Sequence, residues 1–345
     1  MKKRRTSGKK RKSVWKLVLC FLLFECIFTG MTAPFLIFYG PFENIKRTVV
    51  GAAMTTLSHQ YIAKLFLSDE DIKKILAGNT VGNVDNAKIL NFENKHDSSI
   101  EREDISDDKK KFKGYILIIH DPTRVKVGYS SKLGVVGELT SRIARRNNAV
   151  AAINGGGFKD SSSGDSKWTG TGGKPTGILM SNGKILSNDL EDPDKKSGVM
   201  AITSKGQLLV GNHSLNDMKK RGVTEAISFK PALVVNGKGT ITGDGGWGIA
   251  PRTAIGQRAD GSIIFLVIDG RQTKSIGASL RDLQNIMIKY GAVNATNLDG
   301  GSSSTMYYEG EVINNPCDTL GERSVPSAIS VSYTHLRAHE TELHL

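Results

Sequence analysis

Hydrophobic residues along the chain form one long run near the N-terminus and, further on, many short ones. The long run, residues 17–39 (LVLCFLLFECIFTGMTAPFLIFY), holds a single charged residue, Glu25. About 20 apolar residues cross the hydrocarbon core of a bilayer as a helix. The pattern therefore predicts one transmembrane helix over residues 17–39, with a cleavable signal peptide as the alternative.

A weaker helical pattern follows this run. Between residues 48 and 76 apolar residues recur at helical spacing, and Ser68 stands before three acids as a predicted N-cap. Residues 79–113 are polar and without periodicity. We interpret residues 40–78 as a helical stalk and residues 79–113 as a polar linker.

Short apolar runs separated by turn-forming pairs occupy the remainder of the chain. Strands are predicted at 115–119, 124–129, 149–153 and 328–331, and helices at 136–146 and 279–290. Predicted hairpins turn at Asn182-Gly183, Lys205-Gly206, Asn236-Gly237, Asp260-Gly261 and Glu309-Gly310. Many hairpins with two helices predict the α+β class. We expect a single hairpin-rich mixed-sheet domain with flanking helices over residues 114–332, preceded by one transmembrane helix.

Residues 333–345 (YTHLRAHETELHL) do not continue the strand pattern and hold three of the seven histidines. We interpret this segment as a non-native tail. Its histidines, His335, His339 and His344, are therefore not considered as metal ligands.

The positive charge is concentrated before the long apolar run. The chain has 47 Lys and Arg against 34 Asp and Glu, a formal net charge of +13, and nine of the basic residues lie within residues 1–16, which contain no acid. Basic residues on one side of a span predict that this side is cytoplasmic. The sequence thus predicts a single-pass protein of the cell membrane, with a basic cytoplasmic tail over 1–16 and an extracellular domain. The remainder of the chain has only a mild basic excess, so nucleic acid is not an expected partner.

Cysteine usage bears on the compartment and the source. Of three cysteines, Cys20 and Cys26 lie in the predicted span and Cys317 is alone outside it. An exported domain without an intrachain disulfide favours a bacterial surface over an animal secretory pathway. A Gram-positive bacterium is our hypothesis for the source.

Four segments rich in glycine or polar residues follow or begin predicted strands, where a rigid scaffold presents groups to a ligand. They are NGGGF at 154–158, PRTAIG at 251–256, DGR at 269–271 and NLDGGSSSTM at 297–306. Backbone N–H groups of successive glycines can bind an anion, and the planar guanidinium of arginine suits phosphate. Taken singly, a flexible loop, a surface arginine and an ordinary turn stay open as interpretations.

Together with Glu322-Arg323 after a short hairpin, these segments resemble, in order and interval, the phosphodiester glycosidase family over residues 112–331. The resemblance implies hydrolysis of a sugar-1-phosphodiester, typically N-acetylglucosamine α-linked through phosphate to another group. Applied to a membrane-anchored bacterial protein, it implies an extracellular glycosidase whose substrate is a sugar-phosphate-containing glycan of the cell envelope.

The resemblance also implies roles for individual residues. Arg252 is the expected phosphate clamp, with Arg323 or Arg271 assisting, and Asp299 is the expected nucleophile or the base that activates water. Asp269 is expected to be a second carboxylate, and the separation of the two would decide between retention and inversion. The expected substrate-binding groups are Asn154 and Asn297 for the sugar, and Gly155, Gly156, Ser303, Ser304 and Thr305 for phosphate oxygens.

Two other functions stay open. The first is a non-catalytic binding module for cell-wall or exopolysaccharide glycans. The second is a metal-dependent phosphodiesterase, in which Asp269, Asp299 and Asn154 supply oxygen ligands to Mg²⁺ or Ca²⁺. The sequence itself indicates no cofactor and no metal site, and with only His120 and His213 inside the domain it argues against a histidine zinc centre.

Overall fold

The structure is a computed structural model that describes residues 14–54, 59–77, 87–107, 111–159, 171–190 and 192–333. Most of the basic tail predicted over 1–16 and nearly all of the tail predicted over 333–345 lie outside these residues.

Seven α-helices occur in the described residues: α1 (Val14–Tyr39), α2 (Glu43–Met54), α3 (Tyr61–Lys64), α4 (Asp69–Ala77), α5 (Thr140–Arg146), α6 (Leu215–Lys220) and α7 (Leu280–Lys289). Among them α1 alone is long and apolar enough to cross a membrane, and it ends at Tyr39 as predicted. The predicted N-caps are confirmed: Ser68 Oγ accepts from Asp71 N at 3.1 Å, and Ser279 forms a capping box with Asp282.

The strands are short and follow one another closely. The first eleven are β1 (Ile100–Ser106), β2 (Lys113–Ile119), β3 (Val125–Tyr129), β4 (Glu138–Leu139), β5 (Ala149–Asn154), β6 (Phe158–Lys159), β7 (Lys174–Pro175), β8 (Ile178–Ser181), β9 (Lys184–Asn188), β10 (Ser197–Thr203) and β11 (Leu208–His213). The others are β12 (Val223–Ser228), β13 (Ala232–Val235), β14 (Lys238–Gly239), β15 (Arg252–Arg258), β16 (Ile263–Ile268), β17 (Ala292–Asn297), β18 (Met306–Tyr308), β19 (Glu311–Val312), β20 (Ser324–Val325) and β21 (Ser327–Ser332).

Three sheets contain most of these strands. Their strand orders are β1-β2-β16-β15-β17-β13-β14, β11-β10-β12-β8-β9 and β19-β18-β5-β21-β3. The α+β class is confirmed, but every strand pair within the described residues is antiparallel, so the expected mixed sheet is not found. The strands β16 and β17, which α7 connects, do run in the same direction, but β15 lies between them and pairs with both.

The three sheets share one hydrophobic core. Phe265 of the first sheet, Ile202 of the second and Ile153 of the third belong to a single cluster of buried side chains. The other face of β16 packs in a second cluster with α7, which includes Leu266 and Met287. The strand β16 is therefore buried on both faces, which is why its sequence is continuously apolar rather than alternating.

The predicted linker 79–113 differs from the structure in its second half. Residues Ile100–Ser106 form β1, which pairs antiparallel with β2 over seven residues. Because β1 is an edge strand with Glu101–Asp104 exposed, its sequence is polar and lacks the apolar alternation of an inner strand.

Strand register brings the candidate segments together along one edge of the first sheet, the edge formed by the start of β15 and the ends of β16 and β17. Arg252 at the start of β15 pairs with Ile268 at the end of β16, and Ala254 pairs with Asn297 at the end of β17. Thr253 Oγ1 donates to Asn154 Oδ1 at 2.7 Å and joins this edge to the end of β5 in the third sheet. The loops that follow β5, β16 and β17 thus meet around the start of β15.

Candidate functional site

A cleft of about 740 Å³ opens at this edge. Charged and hydroxyl side chains form part of its lining, and aromatic and aliphatic side chains form another part. The described residues that line it are Met54, His59, Leu76, Gly157, Phe158, Thr176, Phe229, Gly245, Gly246, Trp247, Ala250, Arg252, Arg271, Asp299, Gly300, Gly301, Ser302, Ser303 and Arg323.

Arg252 is held rigidly in this cleft by backbone carbonyls. Its Nε donates to Ala278 O at 3.1 Å, and Nη2 donates to Trp247 O at 3.0 Å and Gly248 O at 2.6 Å. Burial, together with repulsion from Arg271, lowers the pKa of Arg252 to about 10. Carbonyl oxygens orient the guanidinium without cancelling its charge, so this group is preorganised to bind an anion.

Two further arginines line the same cleft. The guanidinium of Arg271 lies over Gly301, and Arg271 itself has a positive φ of 58°. The guanidinium of Arg323 stacks 4.9 Å from the ring centre of Phe158, and its Nη1 donates to Ser302 Oγ at 3.1 Å. The structure therefore brings together the three arginines that the sequence singled out.

Asp299 is the one acidic residue of the lining among the described residues. Its backbone is fixed from both sides: Asp299 N donates to Gly155 O at 3.2 Å, and Asn154 Nδ2 donates to Asp299 O at 2.5 Å. The half-buried carboxylate thus projects from a loop held by β5 into a cleft with three arginines.

Asn154 itself does not line the cleft. It is fully buried, and its Oδ1 accepts from Thr253 Oγ1 and from Thr305 N at 3.1 Å. With the bond from Nδ2 to Asp299, the amide joins three segments of the site. Its expected role in sugar binding stays a prediction, and the geometry is that of a group that positions Asp299.

The glycines after Asn154 also make internal contacts. Gly155 N donates to Ser327 O at 2.9 Å and Gly156 N donates to Ser327 Oγ at 3.3 Å, and neither residue lines the cleft. A Cβ added at Gly155 would lie 2.5 Å from Ser327 Oγ. Gly155 is thus explained by close packing against β21, and Gly156 by close packing against β12, where an added Cβ would lie 2.9 Å from Ser228 O. The amides expected to bind phosphate are engaged within the protein.

The segment 297–306 is divided between the cleft and the interior. Ser302 and Ser303 line the cleft, whereas Asn297, Ser304 and Thr305 are buried behind it. Asn297 Nδ2 donates to Lys230 O at 3.2 Å. The atoms Asn297 Oδ1, Ser304 Oγ and Thr305 Oγ1 have no hydrogen-bond partner among the described residues. Ser303 is accordingly the expected phosphate ligand that the geometry supports best.

Asp269 lies behind the cleft rather than in its lining. It is 2% exposed, and its Oδ1 accepts from Asn314 Nδ2 and Asn315 N, both at 3.0 Å. Its Oδ2 accepts from Tyr115 OH at 3.3 Å. Burial raises the pKa of Asp269 despite these donors, and burial beside this carboxylate raises the pKa of Tyr115 to about 12.

The raised pKa of Asp269 predicts a pH-dependent stability. Between the ordinary carboxyl pKa and the raised one, the folded state binds more protons than the unfolded state, so the free energy of unfolding falls as the pH rises. Each unit by which the pKa is raised corresponds to about 1.4 kcal/mol. We expect the Asp269→Asn variant to lose less Tm than the wild type between about pH 4 and pH 7, measured by thermal unfolding in detergent.

The exposed Asp260, at the tip of the β15–β16 hairpin, provides a matched control. The Asp260→Asn variant should follow the wild-type pH dependence. An unchanged pH dependence in the Asp269→Asn variant would contradict the assignment.

Several lining residues were not found from the sequence. The rings of Phe229 and Trp247 meet edge to face with 6.3 Å between their centroids. Met54 of α2, Leu76 of α4 and His59, which precedes α3, also line the cleft. The run GDGGWG before Pro251 was the one local signal for Trp247, since glycines flank a lone aromatic residue.

The described residues contain no group of three or more His, Cys, Asp or Glu side chains placed to hold a metal ion. Of the three oxygen ligands proposed for a metal, Asp299 alone lines the cleft. The amide of Asn154 and the carboxylate of Asp269 are both engaged by protein donors or acceptors.

A family model described as phosphodiester glycosidase matches residues 147–332. This range includes Asn154, Arg252, Asp299 and Arg323, and it begins after α1–α4.

Known proteins resemble the chain in sequence and in fold. The SPbeta prophage-derived uncharacterized protein YomE of Bacillus subtilis is 29% identical over 222 residues, which are 62% of this chain and 32% of that protein. The bovine N-acetylglucosamine-1-phosphodiester alpha-N-acetylglucosaminidase is 39% identical over 70 residues, 20% of this chain and 13% of that enzyme. This chain thus spans about a third, or less, of the length of these relatives.

A solved structure supports the fold. The catalytic domain of the zebrafish N-acetylglucosamine-1-phosphodiester alpha-N-acetylglucosaminidase, auto-inhibited by its pro-peptide, superposes with a TM-score of 0.59 at 24% identity. The superposition covers 73% of this chain and 89% of the zebrafish domain. The architecture of the sheets is therefore shared with that domain.

Proposed function

This chain belongs to the phosphodiester glycosidase family, and we propose that it is a membrane-anchored, extracellular glycosidase that hydrolyses a sugar-1-phosphodiester of the N-acetylglucosamine type in envelope glycopolymers. The observation that carries the proposal is the composition of one cleft: three arginines and a single carboxylate among its described lining residues. A phosphodiester supplies one negative charge for the arginines to bind. Its anomeric carbon is the electrophile, attacked either by the carboxylate or by a water molecule that the carboxylate activates.

The arginines have the task of neutralising phosphate. As the C1–O bond breaks, negative charge grows on the leaving phosphate oxygen, and a preorganised guanidinium stabilises it without reorganising. Arg252 suits this task because three carbonyls already orient it. Arg271, Arg323 and Ser303 complete a positively charged, hydroxyl-bearing wall on which the phosphate would lie.

The carboxylate of Asp299 has the task of activating the attacking oxygen. In the net reaction the oxygen of water bonds to C1, the C1–O bond breaks, and its electron pair leaves with the phosphate monoester. The proton of water passes to Asp299, directly or after a covalent step in which Asp299 itself attacks C1. Because phosphate leaves without protonation, one carboxylate in the cleft suffices and no separate general acid is needed.

Asp269 is proposed to position rather than to touch the substrate. Its Oδ1 holds Asn314, which in turn accepts from Met306 N at 2.7 Å and donates to Ser304 O at 3.1 Å. This chain of bonds fixes the end of the segment that contains Asp299. A direct role for Asp269 as second carboxylate stays a prediction.

The helix α1 supports the anchoring part of the proposal. It is long and apolar enough to span a bilayer, and the basic residues before it favour a cytoplasmic N-terminus. The domain would then face outward, where glycopolymers of a Gram-positive envelope are found.

The proposal is tested by incubating the purified full-length chain in detergent with methyl N-acetylglucosaminyl α-1-phosphate, a phosphodiester, and quantifying free N-acetylglucosamine. We expect release of free sugar together with methyl phosphate, and no change when a chelator is added. Binding of envelope glycopolymer without release of sugar would instead support the binding-module alternative. Loss of release in chelator would support the metal-dependent phosphodiesterase.

A further inference from the structure

The cleft is connected to the membrane helix by a small helical unit. We call α2, α3 and α4, with His59 and the residues between α3 and α4, the collar (residues 43–54 and 59–77). The family match begins only at residue 147, so the collar lies outside it. Yet Met54, His59 and Leu76, all from the collar, line the cleft.

The collar is packed directly on the last turn of α1. Phe38, near the end of α1, is buried in a cluster with Val50, Ala53 and other collar residues, and its ring stacks on Phe66 with 4.8 Å between ring centroids. Tyr39 OH donates to Phe66 O. The C-terminal end of α1 therefore packs directly against the collar and is not separated from it by a flexible spacer.

The collar also packs closely on residues 246–248, in the loop before β15. A Cβ added at Gly51 of α2 would lie 2.5 Å from Gly246 O, and one added at Gly248 would lie 2.8 Å from Thr48 O. The backbone of α2 thus lies against residues 246–248. The same loop supplies the Trp247 and Gly248 carbonyls that hold Arg252.

These contacts place the mouth of the cleft close to the bilayer. Met54 and Leu76 line the cleft and also pack on the cluster that contains Phe38. Packed helices lie about 8–10 Å apart, so the cleft opens about one helix diameter from the end of α1. That distance is comparable with the polar layer of a bilayer, which adds roughly 5–8 Å on each side of the hydrocarbon core.

The surface of the collar fits the same location. Phe42, just before α2, and Ile45, Tyr61 and Leu65 of the collar are each at least half exposed, as are many large apolar side chains of α1. Aromatic and aliphatic side chains beside a span are typical of the membrane interface. On its collar side the cleft is lined by the apolar Met54 and Leu76 together with His59, whereas its arginines lie in the domain.

We propose that the substrate of this cleft is a sugar-1-phosphodiester carried on a membrane lipid, presented from the same bilayer that holds α1. The inference rests on the proposed function and on anchoring by α1. The sugar and phosphate meet Asp299 and the arginines, while the first part of the lipid chain lies against Met54 and Leu76. Hydrolysis bonds the oxygen of water to C1 and leaves the phosphate as a monoester on the lipid, with the proton of water taken by Asp299.

The test uses the full-length chain reconstituted in phospholipid vesicles. One substrate is a polyprenyl N-acetylglucosaminyl phosphate, placed either in the vesicles that contain the protein or in separate vesicles without it. The other is the water-soluble methyl N-acetylglucosaminyl phosphate, which has the same sugar and phosphate. We expect hydrolysis of the lipid substrate to be at least tenfold faster in the shared bilayer than in separate vesicles.

A matched pair of variants tests whether the packing of the collar on α1 matters for the lipid substrate. Phe38→Ala removes the ring buried between α1 and the collar, whereas Phe28→Ala removes an exposed ring of the same helix. We expect Phe38→Ala to lower the rate on the shared-bilayer substrate at least fivefold and to leave the rate on the soluble substrate within twofold. Phe28→Ala should change neither rate.

The outcomes separate the two proposals. If the soluble substrate is hydrolysed but the lipid substrate is hydrolysed equally fast in shared and separate vesicles, or not at all, the inference is overturned and the proposed function stands. Hydrolysis of neither substrate would contradict the proposed function and, with it, the inference. Because the comparison of shared and separate vesicles uses the wild type, it holds even where Phe38→Ala does not fold.

Discussion

The Asp299→Asn variant is expected to lose about 10²–10⁴-fold in kcat on a sugar-1-phosphodiester, the range that a positioned general base contributes. The amide has the size of the carboxylate but cannot take a proton from water or attack C1. The hydrogen bonds to Gly155 O and from Asn154 Nδ2 use only the main-chain atoms of Asp299, so they are kept in the variant. The loss should therefore appear in kcat, with Tm changed by no more than a few degrees.

The Asp260→Asn variant is the control for this loss. Asp260 lies exposed at a hairpin tip outside the cleft, and its Oδ1 accepts from Ser262 N at 2.9 Å, a bond that an amide oxygen can keep. It should turn over substrate at the wild-type rate. A folded Asp299→Asn variant within threefold of wild-type kcat would show that another group activates the attacking oxygen.

The Arg252→Lys variant is expected to lose about 10²–10³-fold in kcat/KM, the range found when one preorganised donor to a developing oxyanion is removed. Lysine keeps the charge but has no planar fork, so it cannot bond the carbonyls of Ala278, Trp247 and Gly248 and still face the phosphate. The loop 246–248 would lose its anchor at the same time. Initial rates over a range of substrate concentrations measure the loss.

The opposite end of β15 provides the matched control. Arg258 also donates Nε to a carbonyl, that of Tyr290 at 2.8 Å, and it does not line the cleft. Arg258→Lys should retain kcat/KM within about threefold. Equal losses in both variants would mean that the effect comes from β15 as a whole and not from the phosphate clamp.

Strands buried on one or both faces could be predicted from the sequence, because burial fixes their composition. The run IIFLVI appears as β16 and AVAAI as β5, and the Asn-Gly and Asp-Gly pairs lie between paired strands as expected. The edge strand β1 could not be predicted, since solvent on both faces removes the apolar signal. The sequence also could not predict that all strand pairs of the described residues are antiparallel. The helix α7 connects β16 and β17, which run in the same direction, but β15 lies between them.

The charged residues of the site could be predicted more fully than its neutral ones. Arg252, Arg271, Arg323 and Asp299 all line the cleft, whereas Asp269 is buried behind it among protein donors. A charge near a buried strand needs either a partner or a ligand, so the sequence points to such residues without deciding between the two. Polar neutral residues lack this constraint. Asn154 has the same local pattern as a ligand-binding residue, yet it is buried with its amide bonded to two other segments of the site. Only tertiary contacts distinguish the two roles.

The contribution of the collar could not be read from its sequence. Residues 40–78 show helical spacing of the kind found in any stalk, and their packing on residues 246–248 depends on Gly51 and Gly248, which are nearly 200 positions apart in the chain. Their closeness is a property of the tertiary structure alone.

In the proposed reaction the cleft cleaves the bond between C1 of the sugar and the phosphate oxygen. Hydrolysis of methyl N-acetylglucosaminyl phosphate in H₂¹⁸O, followed by mass spectrometry of both products, tests it most directly. With water or Asp299 attacking C1, we expect one ¹⁸O atom in the released sugar and none in the methyl phosphate. Recovery of ¹⁸O in a phosphate product would show attack at phosphorus and contradict the account.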